Sequence, residues 1–183
     1  SPDSERNLGR GCLKRDLISV SKREDNMAHI KVFRVREVDK KTESAFENIE
    51  PDELDKGDVL IRVAYSSINY KDALAATGAG RIIRRFPCVG GIDLAGTVIE
   101  SSDARFKSGD PVVATSYDIG VAHDGGYAEI ARIPADWVVP LPQGMSAFES
   151  MALGTAGYTA ALGIQRIELN GLSPANGPVI VTG

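Results

Sequence analysis

Apolar and polar residues alternate along residues 59–68, and this alternation is the clearest structural signal in the chain. One face of the segment carries Val59, Ile61, Val63 and Tyr65. A period of two residues is typical of a β-strand, because successive side chains of a strand point to opposite faces. The alternation stops at small polar residues, and the pattern then predicts a short helix over residues 72–76 that ends at Gly78.

Similar short apolar runs, separated by Gly, Pro and Asp turns, predict further strands. These strands cover residues 30–35, 43–49, 92–100, 111–114, 127–133 and 137–139. Many short strands of this kind favour a small Greek-key barrel or a rolled sheet. The predicted fold class is therefore mainly β with helices (α+β).

A longer helix is predicted in the last quarter of the chain. Ser146 and Glu149 have the spacing of a capping box, which indicates a helix that begins just after Ser146. The Ala- and Leu-rich segment 152–167 continues this helix, and Gly154 and Gly157 are the expected points of a break or a close contact.

The last residues form a short apolar run, 178–181, of the type found in buried parallel strands. Together with the change in composition near residue 145, this run predicts two units. The first is a β-rich domain over residues 27–145, and the second is the start of another domain over residues 146–183.

Composition and charge narrow the possible functions. The 183 residues are 43% hydrophobic and 25% charged, with a net charge of -4 and no concentrated basic face, which argues against nucleic acid as a partner. Cys12 and Cys88 are too few for a disulfide framework and suit a reducing cytoplasm. No apolar run approaches the roughly 20 residues that span a bilayer, so we expect no membrane segment.

Residues 1–26 are rich in charged residues and serine and lack the hydrophobic core of a signal peptide. We interpret Met27 as the natural start and the residues before it as a disordered, appended or upstream-translated tail. A genuine regulatory extension is the alternative.

Four residues lie at the predicted strand-to-helix corner, namely Asn69, Tyr70, Lys71 and Asp72. A corner of this kind holds side chains firmly while leaving them able to reach a cleft. The alternative is purely structural, with Asn69 and Asp72 as helix caps and Tyr70 as a core residue.

Glycine-containing segments follow this corner in a definite order. They are residues 90–98 (GGIDLAGTV), 106–113 (FKSGDPVV), 125–129 (GGYAE) and 153–160 (LGTAGYTA). In this order and at this spacing they resemble the medium-chain dehydrogenase/reductase superfamily, in particular its zinc-free quinone-oxidoreductase-like branch. Within that branch, residues 67–87 (SINYKDALAATGAGRIIRRFP) are similar to the NADPH-dependent acryloyl-CoA reductases. The resemblance runs from about residue 30 to residue 183.

The resemblance implies a GroES-like catalytic domain, a rolled sheet or partial barrel, followed by the first helices and first strand of a truncated Rossmann domain. Gly183 would then stand where the glycine-rich phosphate loop begins, and would belong to the cofactor-binding residues. The remaining nucleotide-binding half would be missing from this sequence. NADPH is the implied cofactor of the full-length enzyme, and we expect these residues alone to be inactive.

The same resemblance indicates whether the chain has the ligands of a zinc site. Zinc-dependent members carry a cysteine at the position of Asn69 and a Gly-His-Glu motif at residues 91–93, so Ile92 replaces the histidine ligand. The four-cysteine structural lobe of those members has no counterpart here. His29 and His123 are interpreted as surface residues. We therefore expect no metal.

By resemblance, Tyr70 packs near the nicotinamide and could stabilise an enolate oxygen or protonate a carbon atom. Asn69 has a donor and an acceptor for the cofactor amide or a water, and Asp72 is expected to cap the helix or hold Lys71. Thr155 and Thr159 correspond to positions that meet the nicotinamide. For these two threonines a close helix–helix contact is the alternative.

Arg81, Arg84 and Arg85 are candidates for the phosphates of an acyl-CoA, because guanidinium groups bind phosphate well. A solvated surface loop is the alternative for these arginines. Cys88 has no histidine near it in sequence and is interpreted as a packing residue.

The favoured function is the catalytic part of an NADPH-dependent reductase of activated C=C bonds. By resemblance its substrate is acryloyl-CoA or a related α,β-unsaturated acyl or carbonyl compound. An NADPH:quinone oxidoreductase and a non-catalytic truncated module that binds no cofactor alone are the alternatives. A cytoplasmic location is expected, and the sequence does not decide whether the protein forms a homodimer.

Overall fold

The structure is a computed structural model, and it describes residues 29–182. Three expectations concern positions outside the described residues. They are the tail over residues 1–26, the start at Met27 and the cofactor contact of Gly183. Within residues 29–182 the chain forms eight β-strands, two α-helices and three short 3₁₀-helices.

The strands are β1 (Ile30–Val38), β2 (Lys41–Ile49), β3 (Val59–Tyr65), β4 (Cys88–Val89), β5 (Asp93–Ser101), β6 (Pro111–Thr115), β7 (Ile130–Ile133) and β8 (Val138–Pro140). The α-helices are α1 (Tyr70–Thr77) and α2 (Ala147–Leu169), and the 3₁₀-helices cover Pro51–Glu53, Ala135–Trp137 and Pro174–Asn176. This mixture of sheet and helix confirms the predicted fold class.

The strands form two antiparallel sheets, in the orders β2-β1-β4 and β7-β3-β5-β6-β8. The segment before β7 connects them. The carbonyl oxygen of Tyr127 accepts a hydrogen bond from the backbone of β1, at Phe33 (2.8 Å), and that of Glu129 accepts one from β3, at Val63 (3.0 Å). The predicted strand over residues 127–133 is therefore shorter than expected, because its first residues cross between the sheets.

The first residues of β3 lie between two hydrophobic cores, which is why Leu60 is apolar although it faces away from Val59 and Ile61. Val59 and Ile61 are fully buried on one face, in a cluster that includes Leu94. Leu60 points to the other face and belongs to a second cluster with Ile30. Since burying one such side chain stabilises the fold by about 1.5–3 kcal/mol, the register of β3 is firmly set.

The chain turns from β3 into α1 at the predicted corner. Asn69 is the N-cap of α1, so the helix begins at Tyr70, two residues earlier than its predicted start. The helix ends at Gly78, which has a left-handed φ of 70°. Glycine adopts this conformation without steric cost, which is why the predicted end is confirmed.

α2 begins as predicted, because the Ser146 hydroxyl accepts a hydrogen bond from the backbone N–H of Glu149 (3.2 Å). The helix is interrupted at Gly154, where φ is 50° and ψ is -157°. Gly157 keeps helical geometry, so only the first of the two suspected glycines breaks the helix.

Residues 178–181 have the composition of a buried parallel strand but do not form one in this structure. The segment joins neither sheet within residues 29–182, and Val181 is 90% exposed. A parallel strand needs a neighbouring strand for its backbone groups, and the described residues supply none beside it. The proposed division at residue 145 stays a prediction. In the described part of the chain no helix is long and apolar enough to cross a membrane.

Candidate functional site

The carboxylate of Asp93 lies at the centre of the strand-to-helix corner and is completely buried. One of its oxygens, Oδ2, accepts hydrogen bonds from the Ser67 hydroxyl, from Nδ2 of Asn69 (2.9 Å) and from the backbone N–H of Thr155 (3.0 Å). The other, Oδ1, accepts one from the Thr155 hydroxyl (2.5 Å). Asp93 therefore joins the β3–α1 corner to α2 through hydrogen bonds to neutral donors.

The helix break at Gly154 makes this arrangement sterically possible. A Cβ atom at residue 154 would lie 2.9 Å from Oδ2 of Asp93 and 3.1 Å from the Ser67 hydroxyl oxygen. Glycine also permits the positive φ that interrupts the helix there. The break leaves the Thr155 N–H without its usual helical acceptor, and Asp93 accepts its hydrogen bond instead.

A second buried carboxylate, that of Asp72, lies at the same corner and is 5% exposed. It accepts hydrogen bonds from the backbone N–H groups of Asn69 (2.8 Å) and Ile92 (3.1 Å). Asp72 thus caps α1, which is one of the two roles expected for it. In the described residues no ion pair joins it to Lys71, so the other expected role is not found.

Asn69 has already used both hydrogen atoms of its side-chain amide. They go to the Ser67 hydroxyl oxygen (3.0 Å) and to Asp93. A carboxylate carries no hydrogen to donate, so the group that faces it must be the NH₂ of the amide. Asn69 was expected to offer a ligand both a donor and an acceptor, and in this arrangement its carbonyl oxygen alone remains to be offered.

Tyr70 is 80% exposed at the start of α1. The alternative in which it fills the core is therefore wrong, and its hydroxyl is open to a ligand. The two threonines differ in their contacts. Thr155 is bound to Asp93, whereas the Thr159 hydroxyl donates to the backbone carbonyl of Thr155 (2.8 Å) and its side chain lies on an exposed part of α2.

Tyr127 also belongs to the corner, although the pattern of the sequence did not single it out. Its hydroxyl donates to the carbonyl oxygen of Ser67 (3.0 Å). Burial raises the pKa of Tyr127 above the ordinary tyrosine value, and the charges of Asp72 and Asp93 raise it further. The residue stood in the GGYAE segment, but nothing in its spacing indicated a contact with residue 67.

A largely apolar cavity of about 640 Å³ lies beside the corner, between β1, β2, β3 and α1. Its walls include Phe33, Phe46, Tyr65, Ile68, Ala73 and Tyr127. Ser66 and Asp72 supply polar groups to it, whereas Asn69, Tyr70 and Thr155 are not among its lining residues. The volume falls within the range that small-molecule sites occupy.

The three candidate arginines have different surroundings. Arg81 is exposed, and Arg84 is an exposed residue that pairs with Asp118, so both fit the alternative of a solvated loop. Arg85 fits neither interpretation well. It pairs with Asp55 and Asp124, and its Nε donates to the carbonyl oxygen of Ala122 (3.0 Å).

The interpretation of His123 as a surface residue is wrong. The side chain is only 9% exposed, and its ring nitrogens lie 2.9 Å from the carbonyl oxygen of Asp124 and 3.1 Å from that of Lys56. Both neighbours are acceptors, so whichever ring nitrogen carries the hydrogen can donate to a backbone oxygen inside the fold, a contact that a sequence pattern does not reveal.

Cys88 is fully buried, and burial raises the pKa of its thiol to about 12. A thiol of this kind is rarely ionised at neutral pH, in agreement with a packing role. Within residues 29–182 no group of three or more His, Cys, Asp or Glu side chains is arranged to hold a metal ion.

Residues 55–143 match the family model described as the alcohol dehydrogenase GroES-like domain. Among curated proteins, the chain is 57% identical over 135 residues to the putative quinone oxidoreductase YhfP of Bacillus subtilis, covering 74% of this chain and 41% of that protein. It is 48% identical over 143 residues to the acrylyl-CoA reductase AcuI of Ruegeria pomeroyi, covering 78% of this chain and 43% of that protein.

Among solved structures, the fold is similar to the yhdH oxidoreductase of Salmonella enterica in complex with NADP. The TM-score is 0.79 and the sequence identity is 46%, with 80% of this chain and 45% of that chain covered. The chain thus spans less than half the length of each of these relatives.

Proposed function

This chain belongs to the medium-chain dehydrogenase/reductase superfamily, and on that premise we propose that it forms the catalytic part of an NADPH-dependent reductase of activated C=C bonds. The proposed substrate is acryloyl-CoA or a related α,β-unsaturated acyl or carbonyl compound. The observation that carries the proposal is the corner around Asp93, which holds Asn69 and Thr155 beside the exposed Tyr70 in a chain closely similar to an acrylyl-CoA reductase.

The corner suits the nicotinamide end of NADPH. Asn69 and Thr155 donate their side-chain hydrogens inward to Asp93 and Ser67, and so they have acceptor atoms to offer. The carboxamide group of nicotinamide carries an NH₂ that needs such acceptors. When bound, NADPH would supply the reducing equivalent, and the protein would supply binding and orientation. Thr159 and Gly183 are further proposed contacts of the cofactor.

Tyr70 is the proposed acid. A neutral tyrosine hydroxyl can donate to the oxygen of an enolate or protonate the α carbon of the substrate. Its high exposure on the first turn of α1 is compatible with both tasks. Asn69 would keep the cofactor in place, while Asp72 would act indirectly by fixing the start of α1. No step of this scheme requires a metal ion.

Among the three arginines, Arg81 is the one we propose to bind phosphate, because its guanidinium needs no competing ion pair to be broken. It is exposed and pairs with no carboxylate in the described residues, whereas Arg84 and Arg85 each contact aspartates. A CoA substrate would have to compete with those aspartates for Arg84 and Arg85. We propose Arg81 as the first contact for the phosphates.

The complete activity is proposed for a longer protein. Because this chain spans less than half of its relatives, we propose that it needs a nucleotide-binding domain to hold the phosphates of NADPH and that alone it is inactive. A cytoplasmic location and a possible homodimer belong to the same proposal.

A quinone reductase is the second candidate, because the chain is also highly similar to a putative quinone oxidoreductase. A non-catalytic module is the third. Rates of NADPH oxidation by the longer protein, measured with acryloyl-CoA, simple enones and a panel of quinones, separate the three. We expect acryloyl-CoA to give the highest kcat/KM. A higher value with a quinone would favour the second candidate, and no turnover would favour the third.

A further inference from the structure

The corner contains two buried carboxylates, and each has neutral partners. Asp93 receives two hydroxyl groups, one amide N–H and one backbone N–H, and Asp72 receives two backbone N–H groups. Aspartate is ordinarily ionised at neutral pH, and donors of this kind are the partners that an ionised carboxylate needs. Hydrogen bonds to neutral donors stabilise these charges without cancelling them.

A negative potential therefore extends over the corner. It also acts on Tyr127, whose pKa is raised by burial and then by the charges of Asp72 and Asp93. At a given distance, electrostatic interactions are stronger inside a protein than in water, because the dielectric constant is lower there. A ligand group that sits against Asn69 and Thr155 would experience this potential through the side chains that Asp93 holds.

We propose that Asp93 is a positioning residue that makes the corner selective for a positively charged nicotinamide ring. The inference rests on the proposed function, in which the nicotinamide end of the cofactor binds here. Asp93 turns the hydrogens of Ser67, Asn69 and Thr155 inward, which leaves acceptors for the ligand. Its buried charge then favours the oxidised cofactor, whose ring is cationic, over the reduced cofactor, whose ring is neutral.

The same preference would help the proposed reaction. NADPH bound here would supply hydride to the β carbon of the substrate and would become cationic in doing so. The buried charge of Asp93, held behind Asn69 and Thr155, would favour that change without reorganising. Asp93 would thus assist the reaction without touching the substrate.

The test compares the dissociation constants of NADP⁺ and NADPH for the longer protein and for its D93N variant. Distortion of the corner would weaken the binding of both forms of the cofactor. Loss of the charge would weaken the binding of NADP⁺ more than that of NADPH. The ratio of the NADP⁺ constant to the NADPH constant should rise about fivefold or more in D93N. The matched control is D124N, since Asp124 is also buried and hydrogen-bonded but contacts Val89 and Arg85. Its ratio should stay within about twofold of the wild-type ratio.

If D93N does not fold, D72N carries the test, because it removes the other buried charge of the corner and should shift the ratio in the same direction. An unchanged ratio in a variant that still binds both cofactors would overturn this inference and leave the proposed function standing. A wild-type protein that binds neither NADP⁺ nor NADPH would overturn both.

Discussion

The backbone nitrogen of Thr155 lies 3.0 Å from Oδ2 of Asp93, and this contact joins two parts of the chain that are 62 residues apart in sequence. It exists because α2 breaks at Gly154 and frees the N–H of the next residue. The same carboxylate holds Asn69 at the start of α1. One buried acid therefore sets the relative positions of the corner and α2.

A methyl group at residue 154 should weaken the fold. In G154A the new Cβ would lie 2.9 Å from Oδ2 of Asp93, and alanine disfavours the φ of 50°. We expect a loss of about 1–3 kcal/mol in the free energy of unfolding, measured by urea denaturation.

Gly163 provides the control in the same helix. A Cβ there meets no atom within 4 Å, and alanine is the better helix former by about 1 kcal/mol. G163A should therefore be as stable as the wild type or more stable. Equal effects of the two substitutions would show that the break at Gly154 has no special role.

Removing the Tyr70 hydroxyl should reduce turnover without reducing cofactor binding. In the longer protein we expect Y70F to lower kcat on the order of 10²-fold, since that is the usual cost of losing a general acid. Tyr70 is 80% exposed, so stability should not change. Stopped assays of acryloyl-CoA reduction give kcat, and fluorescence titration gives the NADPH dissociation constant.

Tyr117 is a suitable control for Tyr70, because it is another exposed tyrosine, 63% accessible, and its ring stacks on Trp137. Y117F should keep its activity. If Y70F also kept full activity, Tyr70 would be a wall of the site rather than its acid.

Replacing Arg85 should act on stability more than on substrate binding. The substitution R85M leaves the buried carboxylate of Asp124 without its cationic partner, and we expect a loss of about 1–3 kcal/mol in thermal or urea unfolding. R81M removes an exposed guanidinium and should leave stability unchanged while raising the KM for acryloyl-CoA. The assignment of these roles would be reversed if R85M altered KM alone.

We expect no specific zinc. By the resemblance, Asn69 and Ile92 replace residues that are zinc ligands in zinc-dependent members. The carboxylates of Asp72 and Asp93 already accept hydrogen bonds from N–H and O–H donors. Elemental analysis of dialysed protein should give well under one zinc per chain. One equivalent of zinc that survives dialysis would contradict the prediction.

Local patterns predicted much of the fold because they depend on neighbouring residues. The alternation in β3, the capping box of α2 and the glycine end of α1 are of this kind. The two-residue strand β4 was not predicted, since such a short strand has no measurable period. The segment 178–181 has the composition of a strand, but composition alone does not supply a partner strand.

The site was predicted less completely than the fold. The sequence pattern points to Asn69, Tyr70 and Asp72 because they lie close together in the chain. The role of Asp93, in contrast, depends on hydrogen-bond partners that are 24 to 62 residues away. The sequence places Asp93 only within the glycine-containing segment 90–98 and the motif at residues 91–93. The burial of His123 is missed for a similar reason, because the carbonyl of Lys56 beside its ring is 67 residues away in sequence. Long-range hydrogen bonds leave no trace in local spacing.

The most direct test of the proposed reaction follows the hydrogen itself. The longer protein is incubated with acryloyl-CoA and NADPH deuterated at C4 of the nicotinamide, on the face from which it is transferred, and the product is analysed by mass spectrometry and NMR. We predict propionyl-CoA with one deuterium at its β carbon and a solvent-derived hydrogen at its α carbon. A product without deuterium at the β carbon, or no propionyl-CoA from a protein that oxidises NADPH with quinones, would contradict the account.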